Sequence, residues 1–428
     1  MTVGIEHSRS MRRRIDAQRT RIEALSSLRE VIALPPKFDI AKRQWRILDA
    51  ELMTVETRLI RRLKRGAAAY LSQPRDLRAA RAMHSLLGEL ELEMTKAFTF
   101  FDTFMDILTQ RHTPELGRLL AGCDVLALDS IRKPHPALSI VEQPIVGCDR
   151  GFGAKTFREY VRFPGGGLNP MPLVQIPYSR LKEKYNLTSI LHEVGHEAMV
   201  RCGLKSALPE ALRSGLSRAG APEPICDLFA RWTSEIGPDF WSFCGSGLAH
   251  AGAIKEILAL PAAHAFRISW NDPHPPPYLR ALLCFDWCRQ VWGSGIWDRW
   301  EHEWRDLYPV ESAPRSTRAL LRKLSEFVPA VSSILIRTRF RSLNGKRISD
   351  LFDMAMLAPS ELKRRVTDAK NGHVDLRGIP PSSHLAVFRL IKERESLDED
   401  TLDALMTRWL TALAGSKRRN FLALEKEN

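Results

Sequence analysis

The chain has 428 residues, which is too many for one ordinary hydrophobic core, so two or three domains are expected. Hydrophobic residues make up 44% and charged residues 27%, so the chain should fold around a sizeable core. The formal net charge is +14, and residues 1–80 hold 18 Lys and Arg against 9 Asp and Glu. This basic region predicts either a weak nucleic-acid or acidic-protein contact, or a solvated helical face.

The cysteine pattern and the hydropathy indicate the cellular compartment in which the protein is expected. Seven cysteines are scattered without a regular framework, which favours buried thiols in a reducing environment over a disulfide scaffold. No N-terminal segment joins a basic stretch to an apolar one, and the longest nearly apolar run, residues 327–336, is about half a membrane span. We therefore expect a cytoplasmic protein without a membrane span.

In chain order, residues 1–122 predict a helical, basic N-terminal region. Apolar residues recur at helical spacing, as in Trp45, Leu48, Leu52 and Val55. Breaks at Leu34-Pro35-Pro36 and at Gln73-Pro74 divide the region into something like a long helical hairpin.

Residues 123–312 predict a zincin-like catalytic core, and residues 313–428 predict a helical C-terminal region. Short apolar runs in the core look like strands, so the chain should be mainly α with a small sheet. The strand at residues 172–177 has a proline at each end, which suits an edge strand that lines the cleft; an internal strand is the alternative.

The central motif is His192-Glu193-Val194-Gly195-His196, an H-E-x-x-H sequence. Residues four apart share one helix face, so both imidazoles can reach one zinc ion, and Glu193 can act as general base for the water that the metal activates. A helix from about Asn186 to Arg201 is expected, with Asn186 as its N-terminal cap.

A catalytic zinc site needs a third protein ligand. Met199 and Cys202 stand where a metzincin has Gly and His, so that class is excluded. The gluzincin arrangement, a Glu on a later helix with an Asp four residues on, fits Glu235 as the ligand and Asp239 as the residue that orients a ligand histidine. Pro238 predicts that this helix begins or kinks there. The alternative ligands are Glu210, Asp227 and Glu256.

Downstream, His274-Pro275-Pro276 precedes Arg280 by the spacing H-P-P-x-x-x-R. Over residues 192–280 the chain thus resembles the CAAX prenyl proteases and the related bacterial stress-response membrane metallopeptidases, which carry H-E-x-x-H, E-x-x-A-D and H-P-P-x-x-x-R in this order. The resemblance implies that His274 faces the cleft and stabilises an oxyanion, while Arg280 anchors the loop to an acidic neighbour. The neighbouring Tyr278 is a second candidate for the oxyanion role.

That family spans membranes, whereas this chain has no candidate span, so only the fold core and peptide hydrolysis are carried over. The sequence predicts a zinc metalloendopeptidase that acts on a protein or peptide substrate. The alternative is a regulatory or nucleic-acid-binding protein with a silent zinc-peptidase core, which the net charge and the helical flanks favour. No helix-turn-helix or zinc-finger signature supports direct reading of DNA.

Overall fold

The computed structural model of the chain describes residues 4–25, 30, 40–149, 155–157, 169, 172–269, 272–367 and 374–424. With 77% helix and 4% strand, it confirms the mainly α class. The longer helices up to the H-E-x-x-H motif are α1 (Ile5–Glu23), α2 (Lys42–Ser72), α3 (Leu77–Thr109), α4 (Pro114–Ile131) and α6 (Thr188–Arg201), with a single turn, α5 (Pro136–Ser139), before the sheet. The later helices are α7 (Leu204–Arg218), α8 (Glu223–Ser246), α9 (Leu248–Ile257), α10 (Ala262–Ala265), α11 (Pro277–Trp292), α12 (Ile296–Leu307), α13 (Arg315–Glu326), α14 (Val328–Arg337), α15 (Pro359–Arg365), α16 (Pro381–Glu393) and α17 (Glu399–Leu424).

Two compact units divide the chain: residues 1–118 with 158–171, and residues 119–157 with 172–428. The C-terminal residues 313–428 thus belong to the same unit as the central region, whereas the sequence predicted a separate third region. The reason is direct packing, because α14 contacts α11 and α7, and α16 contacts α9 and α8. The predicted catalytic core therefore shares one hydrophobic interior with the C-terminal helices.

In the first unit, α1, α2 and α3 pack together, and α2 and α3 form the predicted hairpin. Trp45, Leu48, Leu52 and Val55 are buried along one face of α2, as their spacing predicts. After the break at residues 73–74, α3 begins with the Asp76 carboxylate accepting the N–H groups of its first turn. The predicted break at residues 34–36 lies outside the described residues.

Exposed cations occupy one face of α2 in this unit. Arg61, Lys64 and Arg65 are exposed and follow one another at helical spacing. They line a shallow depression together with Glu23 and Glu56, so the local charge is mixed. The contact with nucleic acid or an acidic protein stays a prediction.

The second unit contains a three-stranded sheet of order β1 (Ile145–Asp149), β3 (Leu173–Pro177), β2 (Lys155–Phe157). β1 pairs with β3 in parallel and β2 pairs with β3 in antiparallel. The predicted edge strand, β3, is therefore internal, and the prediction was wrong. Its prolines are accommodated because they stand at the two strand ends, where Pro172 still contributes its carbonyl to the Ile145 N–H at 3.0 Å.

The helix that carries the H-E-x-x-H motif is α6, which begins at Thr188 rather than at Asn186. The prediction of an Asn186 cap was wrong, since no side-chain hydrogen bond caps α6. Asn186 is buried, and its side chain contacts Glu183, Glu256 and Arg389 instead. The side-chain amide that the local sequence would assign to the helix terminus is therefore hydrogen-bonded to these residues instead.

Helix α8 begins at Glu223 and continues through Pro238 to Ser246, so the prediction that it begins at Pro238 was wrong. Buried aromatic side chains on α8, such as Trp232 and Trp241, hold the helix on both sides of the proline. Pro238 packs on α6 at Gly195, where an added Cβ would lie 2.9 Å from Pro238 Cα. The glycine of the H-E-x-x-H motif therefore lets α6 and α8 approach closely.

The seven cysteines are all buried, as the sequence predicts. Within the described residues, no helix is both long enough and apolar enough to cross a bilayer.

Candidate metal centre

The H-E-x-x-H residues lie together on α6. One ligand atom from each of His192, Glu193 and His196 lies within 4.8 Å of the other two, so this group could hold a metal ion. The two imidazole rings are 4.9 Å apart between centroids and are perpendicular. Both histidine side chains are mostly buried, at 12% and 13% exposed.

The carboxylate of Glu235 on α8 spans the two imidazoles. Its Oε2 lies 3.3 Å from His192 Nε2, and its Oε1 lies 3.8 Å from His196 Nε2. Tetrahedral ligands that are about 2.0–2.1 Å from a zinc ion are about 3.3–3.4 Å apart. Two imidazole nitrogens and a carboxylate whose two oxygens lie 3.3 and 3.8 Å from them are donors of the kind that a zinc ion binds.

The alternative third ligands have other surroundings. Asp227 pairs with Arg213 at 2.9 Å, and Glu256 pairs with Arg389 at 2.7 Å. Glu210 is exposed on α7. Of the carboxylates considered from the sequence for this position, Glu235 is therefore the one that the contacts favour.

Asp239, one turn after Glu235, lies behind His192. Its Oδ1 is 2.7 Å from His192 Nδ1, so the ring donates its N–H there and turns Nε2 towards Glu235. Arg280 on α11 donates to both oxygens of Asp239, at 2.8 Å each. This bidentate pair joins α11 to α8 beneath the centre.

A third group at Asp239 is His250 on α9, whose Nε2 lies 3.4 Å from Oδ1. Sequence reasoning missed this residue. The only signal is a single histidine in a run of small apolar residues, which is a weak one.

The charges at the centre favour replacement of a proton by a metal. Burial alone would lower the pKa of His192, but the charges of Asp239 and Glu235 and the hydrogen bonds to them outweigh it and raise the pKa to about 10. Burial would raise the pKa of Glu235, but His192, His196 and Arg280 together lower it to about 2. A metal-free centre therefore holds a carboxylate against an imidazolium whose Nε2 proton a cation can displace.

His274 is on the open side of the centre, with 51% of its side chain exposed. Its Nε2 lies 3.4 Å from Glu235 Oε2, while its Nδ1 and its backbone N–H contact Asp272 Oδ1 at 2.7 and 3.0 Å. Asp272 thus fixes the direction of the imidazole. The structure brings His274 to the same carboxylate as the two motif histidines.

Tyr278 has a different environment. The residue is 1% exposed, its ring packs against Phe266, and its hydroxyl lies 3.3 Å from Arg305 Nη1. Burial raises the pKa of the hydroxyl. These contacts account for Tyr278 as a packing residue beneath α12 and do not support the oxyanion role.

The three motifs that carry the resemblance therefore meet in one place: His192 and His196 from α6, Glu235 from α8, and the loop and helix that present His274 and Arg280. Contacts of 2.7–3.8 Å join them through Glu235 and Asp239. The described residues in this cluster supply imidazole and carboxylate donors of the kind that zinc binds. No protein-family model, curated protein or solved structure matches the chain.

Proposed function

We propose that the protein is a zinc-dependent peptidase, with His192, His196 and Glu235 as the residues that hold the metal. The observation that carries the proposal is the position of Glu235, whose two oxygens lie 3.3 and 3.8 Å from the Nε2 atoms of the two motif histidines. Asp239 supports it, because its contact with His192 Nδ1 leaves Nε2 as the atom that faces the centre. When bound, a zinc ion supplies Lewis acidity to a water molecule and to a carbonyl oxygen.

Residues of the chain would carry out the proton transfer and the stabilisation of the oxyanion. Glu193 is buried beside the two histidines, and it accepts a proton from the attacking water and delivers it to the leaving amine nitrogen. His274 donates a hydrogen bond to the oxyanion that forms on the scissile carbonyl. Asp272 holds the imidazole in the direction that this role needs.

A substrate would enter from the side of His274. This histidine is half-exposed, whereas Asp239 on the opposite side of the centre is buried beneath Arg280. The internal strand β3 is paired with β1 along residues 173–177 and with β2 along residues 173–175, so most of its backbone is not open to an extended peptide.

The decisive experiment compares wild type with Glu193→Gln. The amide leaves zinc content and folding intact but cannot accept the proton of water, so we expect cleavage to fall by about 10²–10⁴-fold. Zinc is measured by elemental analysis, and cleavage is measured by comparing peptide termini after incubation with a cell extract. Glu210→Gln, an exposed carboxylate on α7, is the matched control and should cleave as wild type does.

Two results would contradict the proposal. One is a wild-type protein that binds no zinc, and the other is equal cleavage by wild type and Glu193→Gln. The second result, with zinc bound, would favour the alternative of a regulatory protein with a silent peptidase core.

A further inference from the structure

His250 is a buried, titratable group to which the proposed mechanism assigns no role. It lies on α9 with 2% exposure, and its Nε2 is 3.4 Å from Asp239 Oδ1. Neither of its ring nitrogens makes a hydrogen bond of ordinary geometry within the described residues. A buried ring with one nitrogen directed at the carboxylate that orients His192 is placed to influence the metal centre.

The protonation state of His250 follows from its surroundings. Burial lowers its pKa, and the positive charges of His192 and Arg280 lower it further against the opposing effect of Asp239. The ring is therefore neutral and carries one N–H. The Nε2–H tautomer places a donor opposite the carboxylate, whereas the Nδ1–H tautomer would bury an unsatisfied donor and set a lone pair against Oδ1.

The position of His250 is fixed from the far side of α9. An added Cβ at Gly252 would lie 2.9 Å from the Nε atom of Arg389, which is itself wholly buried. Arg389 also binds Glu256, one turn further along α9, at 2.7 Å. These contacts hold one face of α9 against α16. They therefore keep the opposite face, which carries His250, close to Asp239.

We propose that His250 is a positioning residue for the metal centre. Arg280 donates hydrogen bonds to the Asp239 carboxylate from α11, and His250 Nε2 faces its Oδ1 from α9 at 3.4 Å, so that this oxygen stays directed at His192 Nδ1. His192 Nε2 is thereby kept in place opposite Glu235. The inference rests on the proposed zinc-binding function and adds to it a residue outside the three motifs.

The experiment measures zinc affinity by competition with a chelator, together with the thermal midpoint of the metal-free protein. Leu in place of His250 keeps the volume but removes the donor, so we expect His250→Leu to weaken zinc binding about tenfold, at the low end for a residue behind a ligand. In His250→Gln the amide nitrogen reaches the position of Nε2, so this variant should bind zinc within about threefold of wild type.

Two further variants separate positioning from packing. In His250→Asn the amide nitrogen stands at the position of Nδ1 and does not reach Asp239, so zinc affinity should fall as in His250→Leu. Ile254→Val, a small deletion in the same helix, should lower the thermal midpoint without changing zinc affinity.

The outcomes distinguish this inference from the proposed function. Equal zinc affinity in wild type, His250→Leu and His250→Asn, or equal losses in the Gln and Asn variants, would overturn the positioning role while zinc binding itself stands. If His250→Leu does not fold, the comparison of Gln with Asn decides alone. A wild-type protein that binds no zinc would overturn the proposed function and this inference with it.

Discussion

Two clusters of charged side chains in the second unit contain similar residue types but differ in whether they can bind a metal. The metal-centre cluster consists of His192, His196, Glu235, Asp239 and Arg280. The Arg389 cluster consists of Arg389, Lys392, Asn186, Glu256 and Glu393, in which Arg389 binds Glu256 at 2.7 Å, Asn186 at 2.6 Å and Glu393 at 3.3 Å.

The difference lies in the cations. The Arg389 cluster contains a guanidinium and an ammonium, which pair with its carboxylates in the place that a metal would otherwise take. In the metal-centre cluster, Glu235 faces two imidazoles, and an imidazolium can give up its proton to a metal. A carboxylate that is paired with an arginine therefore stabilises the fold, whereas a buried carboxylate that faces histidines is a candidate metal-binding site.

Helix α9 lies between the clusters and contacts both. His250 faces Asp239, while Gly252 and Glu256 face Arg389. The two clusters can therefore be tested separately. Substitutions in the Arg389 cluster should lower the free energy of unfolding, and substitutions in the metal-centre cluster should lower zinc affinity.

The largest expected effect is on stability. Arg389→Met leaves Glu256 and Glu393 without their main partner, and loss of one partner of a buried ion pair costs about 3–5 kcal/mol. We expect the free energy of unfolding to fall by about 3 kcal/mol, the low end of this range, because Glu256 is 34% exposed and keeps Lys392 at 3.6 Å. Denaturant unfolding measures the loss, and Lys392→Met, a more exposed cation, should cost less than about 1 kcal/mol. A fall in zinc affinity as large as that of a ligand variant would show that the two clusters are not separable.

The next effect is on zinc affinity. Glu235→Ala removes a metal-holding carboxylate, so the loss should exceed the roughly 10–100-fold that is typical for residues behind a ligand, such as Asp239 in Asp239→Ala. Chelator competition measures both variants, with Glu256→Ala as the control whose zinc affinity should match wild type. If Glu235→Ala binds zinc as wild type does, another residue is the third ligand.

A smaller effect tests the packing of α9 on Arg389. Gly252→Ala sets a Cβ 2.9–3.0 Å from three atoms of the buried Arg389 side chain, and such overpacking costs about 1–3 kcal/mol. Gly88→Ala is the control, because an added Cβ on α3 meets nothing within 4 Å and should stabilise the protein by about 0.4–1 kcal/mol. Unfolding midpoints of both variants give the comparison, and a stabilised Gly252→Ala would contradict this packing.

The last effect concerns pH and is gradual. Because the pKa of His192 is raised from 6.5 to about 10, the metal-free centre keeps its proton at neutral pH and zinc must displace it. Zinc affinity should therefore rise about tenfold per pH unit from near 6.5 towards 10. In the metal-free protein the sign is opposite: the stability that His192 contributes is complete below about 6.5 and is lost as pH rises through about 10.

Chelator competition across this pH range checks the slope, and metal-free unfolding checks the sign. A zinc affinity that does not change between pH 7 and 9 would contradict the displaced proton. Arg389→Met should leave the slope unchanged, because its cluster does not share the imidazole.

Much of the secondary structure could be predicted because it depends on residues close in sequence. The spacing of Trp45, Leu48, Leu52 and Val55 predicts a helix with one buried face, and α2 has that face. The four-residue spacing of His192 and His196 likewise predicts that the two imidazoles share a side of one helix, which α6 confirms.

Where that reasoning was wrong, distant residues changed a local preference. Asn186 favours a helix cap locally, but Arg389, 203 positions away, binds its side chain. Pro238 disfavours a helix interior, but buried side chains on both sides and contact with Gly195 hold α8 together. The prolines beside β3 suggested an edge strand, but β1 and β2 pair with its two sides and make it internal. The proline pattern of one strand does not predict which other strands pair with it.

By itself the sequence determined the mainly α class, the helix that presents His192 and His196, and a short set of carboxylates for the third position. Only the tertiary structure decided that Glu235 is the carboxylate of that set which reaches both histidines, that Asp239 and Arg280 meet behind His192, and that His250 faces them from α9. The physical reason is range. Helical periodicity acts within a few residues, whereas these contacts join positions 39–47 apart or depend on how α9 packs against α8 and α16.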